Sequence, residues 1–474
     1  MKTQNKLLAS ILLTAGIISS PIISYAADSK ELEDLRAQVE ELKQAVKVLD
    51  RKGEILAEEA ATKKKETPIL RAGPDGFGWK SADGKNEIKL RGLAHLDYRS
   101  YNNDEGNFST SNDGFTFRRI RPTIAGTVNG IYDFQFTPEF GESKTSSTTS
   151  TTGIVDAFVN AKFKSWFQVR AGKFKPFVGL ERLQSGGDIK FLERSYVSNN
   201  FAPNRDLGVA IHGDLFENRL NYAVGIHNGV VDGGDNTTSI DTNGSKDFAF
   251  RVFATPFKND IGILNGLGFG IAATRSNFGG ALLPSYKTPG QSTFYSYASG
   301  VVADGARTRF VPQAYYYGGP LGVIAEYATV SQDVKKASGT GAGTKLEVDN
   351  SAWQIAASYL LTGEDASFKG VKPKNDFNLD GAGWGAWELV ARYERADIDN
   401  DLWSNSNFTT QTAGATASVK SASSWAAGVN WYLNQNIKIA LNYEQTSFEG
   451  GNVTNYLLDH PDEQILSSRL QLSY

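Results

Sequence analysis

The stretch Ile88-Lys89-Leu90-Arg91-Gly92-Leu93-Ala94-His95-Leu96-Asp97-Tyr98-Arg99 alternates. Ile88, Leu90, Gly92, Ala94, Leu96 and Tyr98 share one face; Lys89, Arg91, His95, Asp97 and Arg99 share the other. A period of two means a strand with one apolar and one polar side. The pattern returns in Tyr132, Phe134 and Phe136, in Leu220, Tyr222, Val224 and Ile226, in Trp387, Leu389, Ala391 and Tyr393, and in Ile437, Ile439, Leu441 and Tyr443. Sixteen candidate strands can be marked this way, from 87–100 and 115–128 through to 436–447 and 464–474.

The connections carry a second regularity. From the second strand on, every other one is usually short (129–130, 165, 217–218, 318–320, 434–435) and those between are long (142–152, 176–206, 276–307, 397–422). Short periplasmic turns and long outer loops mark an outer-membrane barrel. A soluble sandwich also alternates, but strands of about ten residues, their number, and Tyr and Trp near strand ends favour the barrel. The expected fold is therefore all-β, a transmembrane antiparallel β-barrel over 87–474. Connection 362–385 breaks the rule, so it holds either an insertion or a further strand pair that raises the count to 18. The chain stops on Arg469-Leu470-Gln471-Leu472-Ser473-Tyr474, which resembles the C-terminal assembly signal of outer-membrane proteins.

Composition agrees. The 474 residues contain no Cys, four His and one Met, which excludes disulfides, Cys-ligated metals and a thiol nucleophile and leaves little for a His-rich metal site. No cofactor is expected. A net charge of −3 gives no reason to expect nucleic acid as a partner. Outside the N-terminus no apolar run reaches the length of a membrane helix, about 18 residues or more.

At that N-terminus, Lys2 and Lys6 precede an apolar run, Leu7 to Ile23, and Ser24-Tyr25-Ala26 offers small residues for cleavage, so 1–26 reads as an export signal. Over 27–62, Leu32, Leu35, Val39, Leu42, Val46, Leu49 and Leu56 recur at spacings of three and four, with Gly53 at the one missing position. That stripe suits a periplasmic coiled coil. Lys63-Lys64-Lys65 followed by Pro68 is expected to end it in a linker, 63–86, that approaches the barrel.

Charge is unevenly spread. Between Phe115 and Arg205 stand 13 basic residues and seven acids, while the rest of the chain after residue 26 carries a net −11. Inside a polar bore such a block would attract anions, because low-dielectric walls focus the field; on a solvated rim it would instead bind lipopolysaccharide phosphates. Connection 176–206 follows the fifth strand, the place where sixteen-stranded porins fold a loop inward. Its apolar residues, among them Phe177, Val178, Leu180, Phe191 and Leu192, give it something to pack with.

Six segments in order, Phe117-Arg118-Arg119-Ile120-Arg121-Pro122, Val169 to Phe177, Phe191-Leu192-Glu193-Arg194, Asn204 to Gly208, Leu361-Thr362-Gly363-Glu364 and Gly385 to Tyr393, resemble the phosphate-selective porin O and P family over roughly 75–474. The resemblance implies a trimeric sixteen-stranded channel whose Arg and Lys carry phosphate or polyphosphate. The candidate anion-binding, pore-lining residues are Arg118, Arg119, Arg121, Arg170, Lys173, Lys175, Arg182 and Arg194.

The resulting expectation is a non-enzymatic outer-membrane porin, a homotrimer in contact with lipid and lipopolysaccharide, passing phosphate or other small anions. A general diffusion porin without phosphate selectivity, and a structural tether using the coiled coil, are the alternatives. A barrel-wall hydrolase has little support, with few His and no Gly-x-Ser-x-Gly. Asp376-Phe377-Asn378-Leu379-Asp380-Gly381 mimics half a calcium loop, but Trp387 stands where the closing Glu is needed.

Overall fold

The computed structural model describes residues 29–474 apart from 75, 103–112, 142–152, 237–243, 261, 281–282, 382, 412–416 and 453. The export signal and the Ser/Thr-rich tract after Lys144 therefore lie outside the described residues. The chain divides into two units at Thr67/Pro68.

The first unit is one helix, α1 (Ser29–Glu66). Its heptad residues Leu32, Leu35, Val39, Leu42, Val46, Leu49 and Leu56 are all exposed. The helix stops just short of Pro68, whose ring disfavours a helical residue before it. Residues 63–66, read as linker, instead continue the helix; lysines are good helix formers and nothing breaks the run before Pro68.

The second unit begins with a hairpin, β1 (Ile69–Gly73) and β2 (Gly76–Lys80), also inside the stretch read as linker. Wall strands follow: β3 (Glu87–Tyr101), β4 (Gly114–Val128), β5 (Tyr132–Glu139), β6 (Gly153–Lys164), β7 (Phe167–Phe174), β8 (Asp206–Leu215), β9 (Leu220–His227), β10 (Asp247–Ala254) and β11 (Leu267–Gly279). A small hairpin, β12 (Tyr286–Lys287) and β13 (Thr293–Tyr295), lies within the next loop. The wall resumes with β14 (Val301–Gly318), β15 (Leu321–Lys336), β16 (Lys345–Leu360), β17 (Ala386–Asp397), β18 (Ser421–Tyr432), β19 (Ile437–Glu449) and β20 (Glu463–Ser473).

Each wall strand pairs antiparallel with the next, and β20 pairs with β3 to close a ring of 16. The sheet itself has 18 strands because β1 and β2 join it outside the ring. β2 pairs with the start of β3 (Phe77↔Leu90) and β20 with the remainder (Ser473↔Leu93), so the two share one neighbour end to end. Tyr474 finishes at this seam. Its backbone exchanges hydrogen bonds with Gly92, and its ring lies where any side chain at 92 would stand.

Alternation sorts the side chains as the sequence predicts. On β3, His95, Asp97, Arg99 and Tyr101 face inward and are buried, whereas Tyr98 faces outward. The outward faces carry Phe250, Phe269, Ile355, Leu389, Tyr393, Trp425 and Leu441, an apolar belt for the hydrocarbon.

Connection 362–385 adds no wall strand. It turns back into the barrel mouth, with Ala366 N–H donating to the Gly319 carbonyl (2.7 Å) and the Phe368 ring 5.7 Å from that of Tyr315. The calcium-loop mimic within it is a turn, closed by an Asn378–Gly383 bridge.

Candidate functional site

Loop 176–206 folds inward and crosses the bore. Its turn α2 (Leu180–Leu183) and a π-turn at Val197–Phe201 are buried. A loop taken from water must find partners for its backbone; every wall strand from β14 to β20 except β16 supplies one, and β16 holds a loop side chain instead. Gln313 donates to Val178 O (3.0 Å), Glu326 accepts from Leu180 N–H (2.5 Å), and Gln354 donates to the Glu181 carboxylate (3.3 Å). Glu394 accepts from Tyr196 N–H (2.7 Å), Asn430 donates to Lys190 O (2.9 Å), Asn442 accepts from Leu192 N–H (3.0 Å) and Gln471 donates to Gly187 O (3.0 Å). The β12–β13 hairpin packs over this loop, the Tyr286 ring stacked on Phe201 at 5.0 Å and Phe294 edge-on to Tyr196 at 5.6 Å. From the other end, the backbone of Phe368 accepts from Gln184 Nε2 (2.9 Å).

This filling is one-sided. Lumen side chains of the far wall are shut off from solvent, with Arg309 and Glu394 both 0% exposed. On β4–β6 the lumen side chains are mixed: Arg118 is 22% and Lys162 39% exposed, while Arg119, Thr137 and Asn160 are buried.

A β-bulge shapes that wall. His95 faces Arg119 and Leu96 faces Phe117, leaving Arg118 as the extra residue. Two consecutive arginines consequently reach inward. Arg118 binds Glu193 through Nε (2.6 Å), Arg99 binds the same carboxylate (2.7 Å), and Arg119 lies 3.9 Å from it and 3.1 Å from His95 Nδ1. Burial alone would raise the Glu193 pKa; Arg118, Arg99 and Arg119 outweigh it and hold this loop carboxylate well below its usual range. Arg121 pairs with Glu139 at 2.5 Å.

Beside this pairing lies a group of cations whose side chains are held mostly by neutral oxygens. Lys175 Nζ (2.6 Å) and Arg194 (2.9 Å) donate to one neutral oxygen, the Gln184 carbonyl. Arg182 and Arg205 likewise both donate to Asn204 Oδ1, each at 2.9 Å. Arg182 also reaches the Ser198 carbonyl, and Arg205 reaches Asp156 (3.3 Å). Asp156 pairs with Arg205, and Asp235 and Glu181 lie near enough to offset part of the remaining positive charge. Burial, reinforced by Arg194, Arg205 and Arg182, draws the Lys175 ammonium well below its usual pKa; burial with Arg182 and Arg205 nearby brings Arg194 down to about 9.

Of the eight residues singled out from sequence, Lys175, Arg182 and Arg194 meet in this cluster, and Arg118, Arg119 and Arg121 line the adjoining wall. Arg170 stands apart, toward the short-turn end, ringed by phenylalanines. Lys173 leaves the lumen: it is odd-numbered on a strand whose inward residues are Gln168, Arg170 and Phe174, and its ammonium reaches the Asn236 carbonyl at 2.5 Å. Sequence reasoning counted Arg205 in the basic block without selecting it. It also passed over Glu193, whose place among three guanidiniums has no local signal.

A sixteen-stranded antiparallel barrel with its fifth-strand loop across the bore is a porin fold. The family model described as phosphate-selective porin O and P matches residues 88–474, and the chain belongs to that family. Porin O of Pseudomonas aeruginosa is 31% identical over 114 residues, 21% of this chain and 24% of that protein, so the match spans about a quarter of the relative's length. Among solved structures, the outer membrane channel DcaP of Acinetobacter baumannii superposes with a TM-score of 0.52 at 11% identity, covering 84% of this chain and all of that one. A loop-deletion mutant of OmpT from Vibrio cholerae gives 0.50 at 10% identity, over 82% of this chain and 100% of its own. At these identities the likeness is one of fold.

Proposed function

We propose that the barrel is a passive outer-membrane channel for small anions, with phosphate or polyphosphate held transiently by Lys175, Arg182, Arg194 and Arg205 and guided past Arg118 and Arg121. The observation that carries this reading is the pairing of four cations on two neutral oxygens where the inward loop joins the wall. An entering anion exchanges part of its hydration shell for ammonium and guanidinium donors, and leaves because those donors keep their protein acceptors. Nothing in the chemistry calls for catalysis.

Family membership and the printed name of the relative, a porin, support the channel class. The unpartnered heptad stripe of α1 supports self-association, with the helix in the periplasm and the assembly a homotrimer whose outer belt meets lipid and lipopolysaccharide. General diffusion without phosphate selectivity is the second reading, favoured by the backbone carbonyls that already engage Arg182 and Arg194.

Single-channel recording in a planar bilayer separates the two. A reversal potential of anion-selective sign in a KCl gradient, with chloride current blocked by low phosphate, is expected. Indifference to phosphate removes the bound-phosphate reading and leaves general diffusion; cation selectivity overturns the anion channel itself.

A further inference from the structure

Arg170 differs from the other cations of the wall. Arg118, Arg121 and Arg205 each hold a carboxylate, at 2.6, 2.5 and 3.3 Å. Among the described residues Arg170 holds none: its Nε is buried without an acceptor, and its guanidinium carbon lies 4.6 Å from the ring of Phe158, 5.3 Å from Phe177 and 5.6 Å from Phe174. The acids that come nearest are already engaged, Asp133 by Lys162 (2.8 Å) and Asp156 by Arg205. His212 completes the surround, its ring 5.1 Å from Phe177 and its Nε2 2.7 Å from Asn160 Oδ1.

We infer that Arg170 with Phe158 and Phe177 forms a second subsite in the bore, selective for organic carboxylates with a flat apolar body. The inference rests on the reading of the barrel as an anion channel and adds a substrate class to it. Phosphate is strongly hydrated and needs donors on several oxygens, whereas aromatic rings offer none and present a negative face to an anion. A carboxylate needs only the two parallel N–H groups of one guanidinium edge. An attached ring or short apolar chain then lies against the phenylalanines, which hold the guanidinium plane in place by cation–π contact. Arg170 enters β7 three residues after its start at Phe167, near the short turn that follows Lys164. An anion leaving the Lys175–Arg205 cluster toward the short-turn end would pass it.

The test is block of chloride current by benzoate and by acetate, at equal charge and pH 7, in the full-length protein. Benzoate is expected to half-block at about one-tenth the concentration of acetate, the scale of one aromatic contact plus ring burial. A Phe158→Leu/Phe177→Leu variant should bring that ratio close to one while leaving phosphate block unchanged. Arg170→Lys, which keeps the charge without the planar fork, should raise the half-block concentration of both acids and decides the matter if the double variant does not insert. Equal block by the two acids in the unaltered protein overturns the subsite, as does benzoate block that Arg170→Lys leaves unchanged. A cation-selective reversal potential in KCl alone would instead overturn the parent reading, so the two failures are distinguishable.

Discussion

Replacing Lys175 by methionine removes one ammonium from the cluster without orphaning its acceptor. The Gln184 carbonyl retains the Arg194 bond at 2.9 Å, and Arg182 and Arg205 keep Asn204 Oδ1. The loop backbone should stay where it is, so the change reads the charge alone. A hydrogen bond to a charged group contributes roughly 1.5–3 kcal/mol, and about 1.4 kcal/mol is tenfold in an equilibrium constant. Phosphate should then need about 10- to 150-fold more concentration to half-block the chloride current, with Lys175→Arg close to the unaltered protein. The unaltered channel should also lose phosphate block as pH rises, because a lysine with a lowered pKa gives up its charge early on the way up; in Lys175→Met that early loss should disappear, leaving the one near the Arg194 value of about 9. A shift in half-block below about threefold, at unchanged conductance, would falsify the cluster as the phosphate site, threefold being well under the roughly tenfold lower bound.

Glu193→Gln leaves Arg99, Arg118 and Arg119 without their shared carboxylate, a loss of roughly 3–5 kcal/mol for a buried pair broken from one side. The folded band on a heat-shift gel should convert at lower temperature and the conductance should flicker; an unchanged conversion temperature refutes the hub. Burial pushes the Asp188 carboxyl up to about 6 in spite of Lys438, Lys190, Lys175 and Lys369 around it. It takes up a proton as pH falls through that value, so anion selectivity should rise between pH 7 and 5, and Asp188→Asn should flatten the profile. Leu42→Glu with Leu49→Glu puts charge into the exposed heptad stripe and should reduce cross-linked trimer while conductance per channel is kept. Undiminished cross-linking would remove α1 from the assembly.

The wall was legible because period two survives any tertiary context in which one face meets lipid and the other polar groups. All sixteen strands appear where alternation places them, with ends adrift by a few residues, as at β14, which starts at Val301 rather than 308. The inward loop was legible from its apolar residues. Other features depend on what lies across the bore. Nothing near Arg118 announces a bulge, so both Arg118 and Arg119 facing inward could not be read, nor could the outward turn of Lys173. The excess of the basic block is partly met by Glu388, which pairs with Lys190, while Glu326 and Glu394 accept from backbone N–H groups of the loop; alternation puts all three on the lumen face, but only the folded loop comes against them. The length of 362–385 was visible, but its fold back into the mouth depends on Tyr315 and on Gly319, far away in the chain.

The loop that spans the bore is tied to seven consecutive strands, from Gln313 on β14 to Gln471 on β20. It is a strut as well as a constriction. A barrel without such a member can flatten into an ellipse under lateral pressure; this one would have to stretch a spoke on every strand of that arc. Selectivity is accordingly addressable at a distance. A substitution at Gln354, Asn430 or Asn442 touches no permeating ion, yet each holds a point of the loop that carries Lys190, Arg194 and Arg182. Tuning of this channel can accumulate on the wall opposite the ions, where sequence change looks like mere packing.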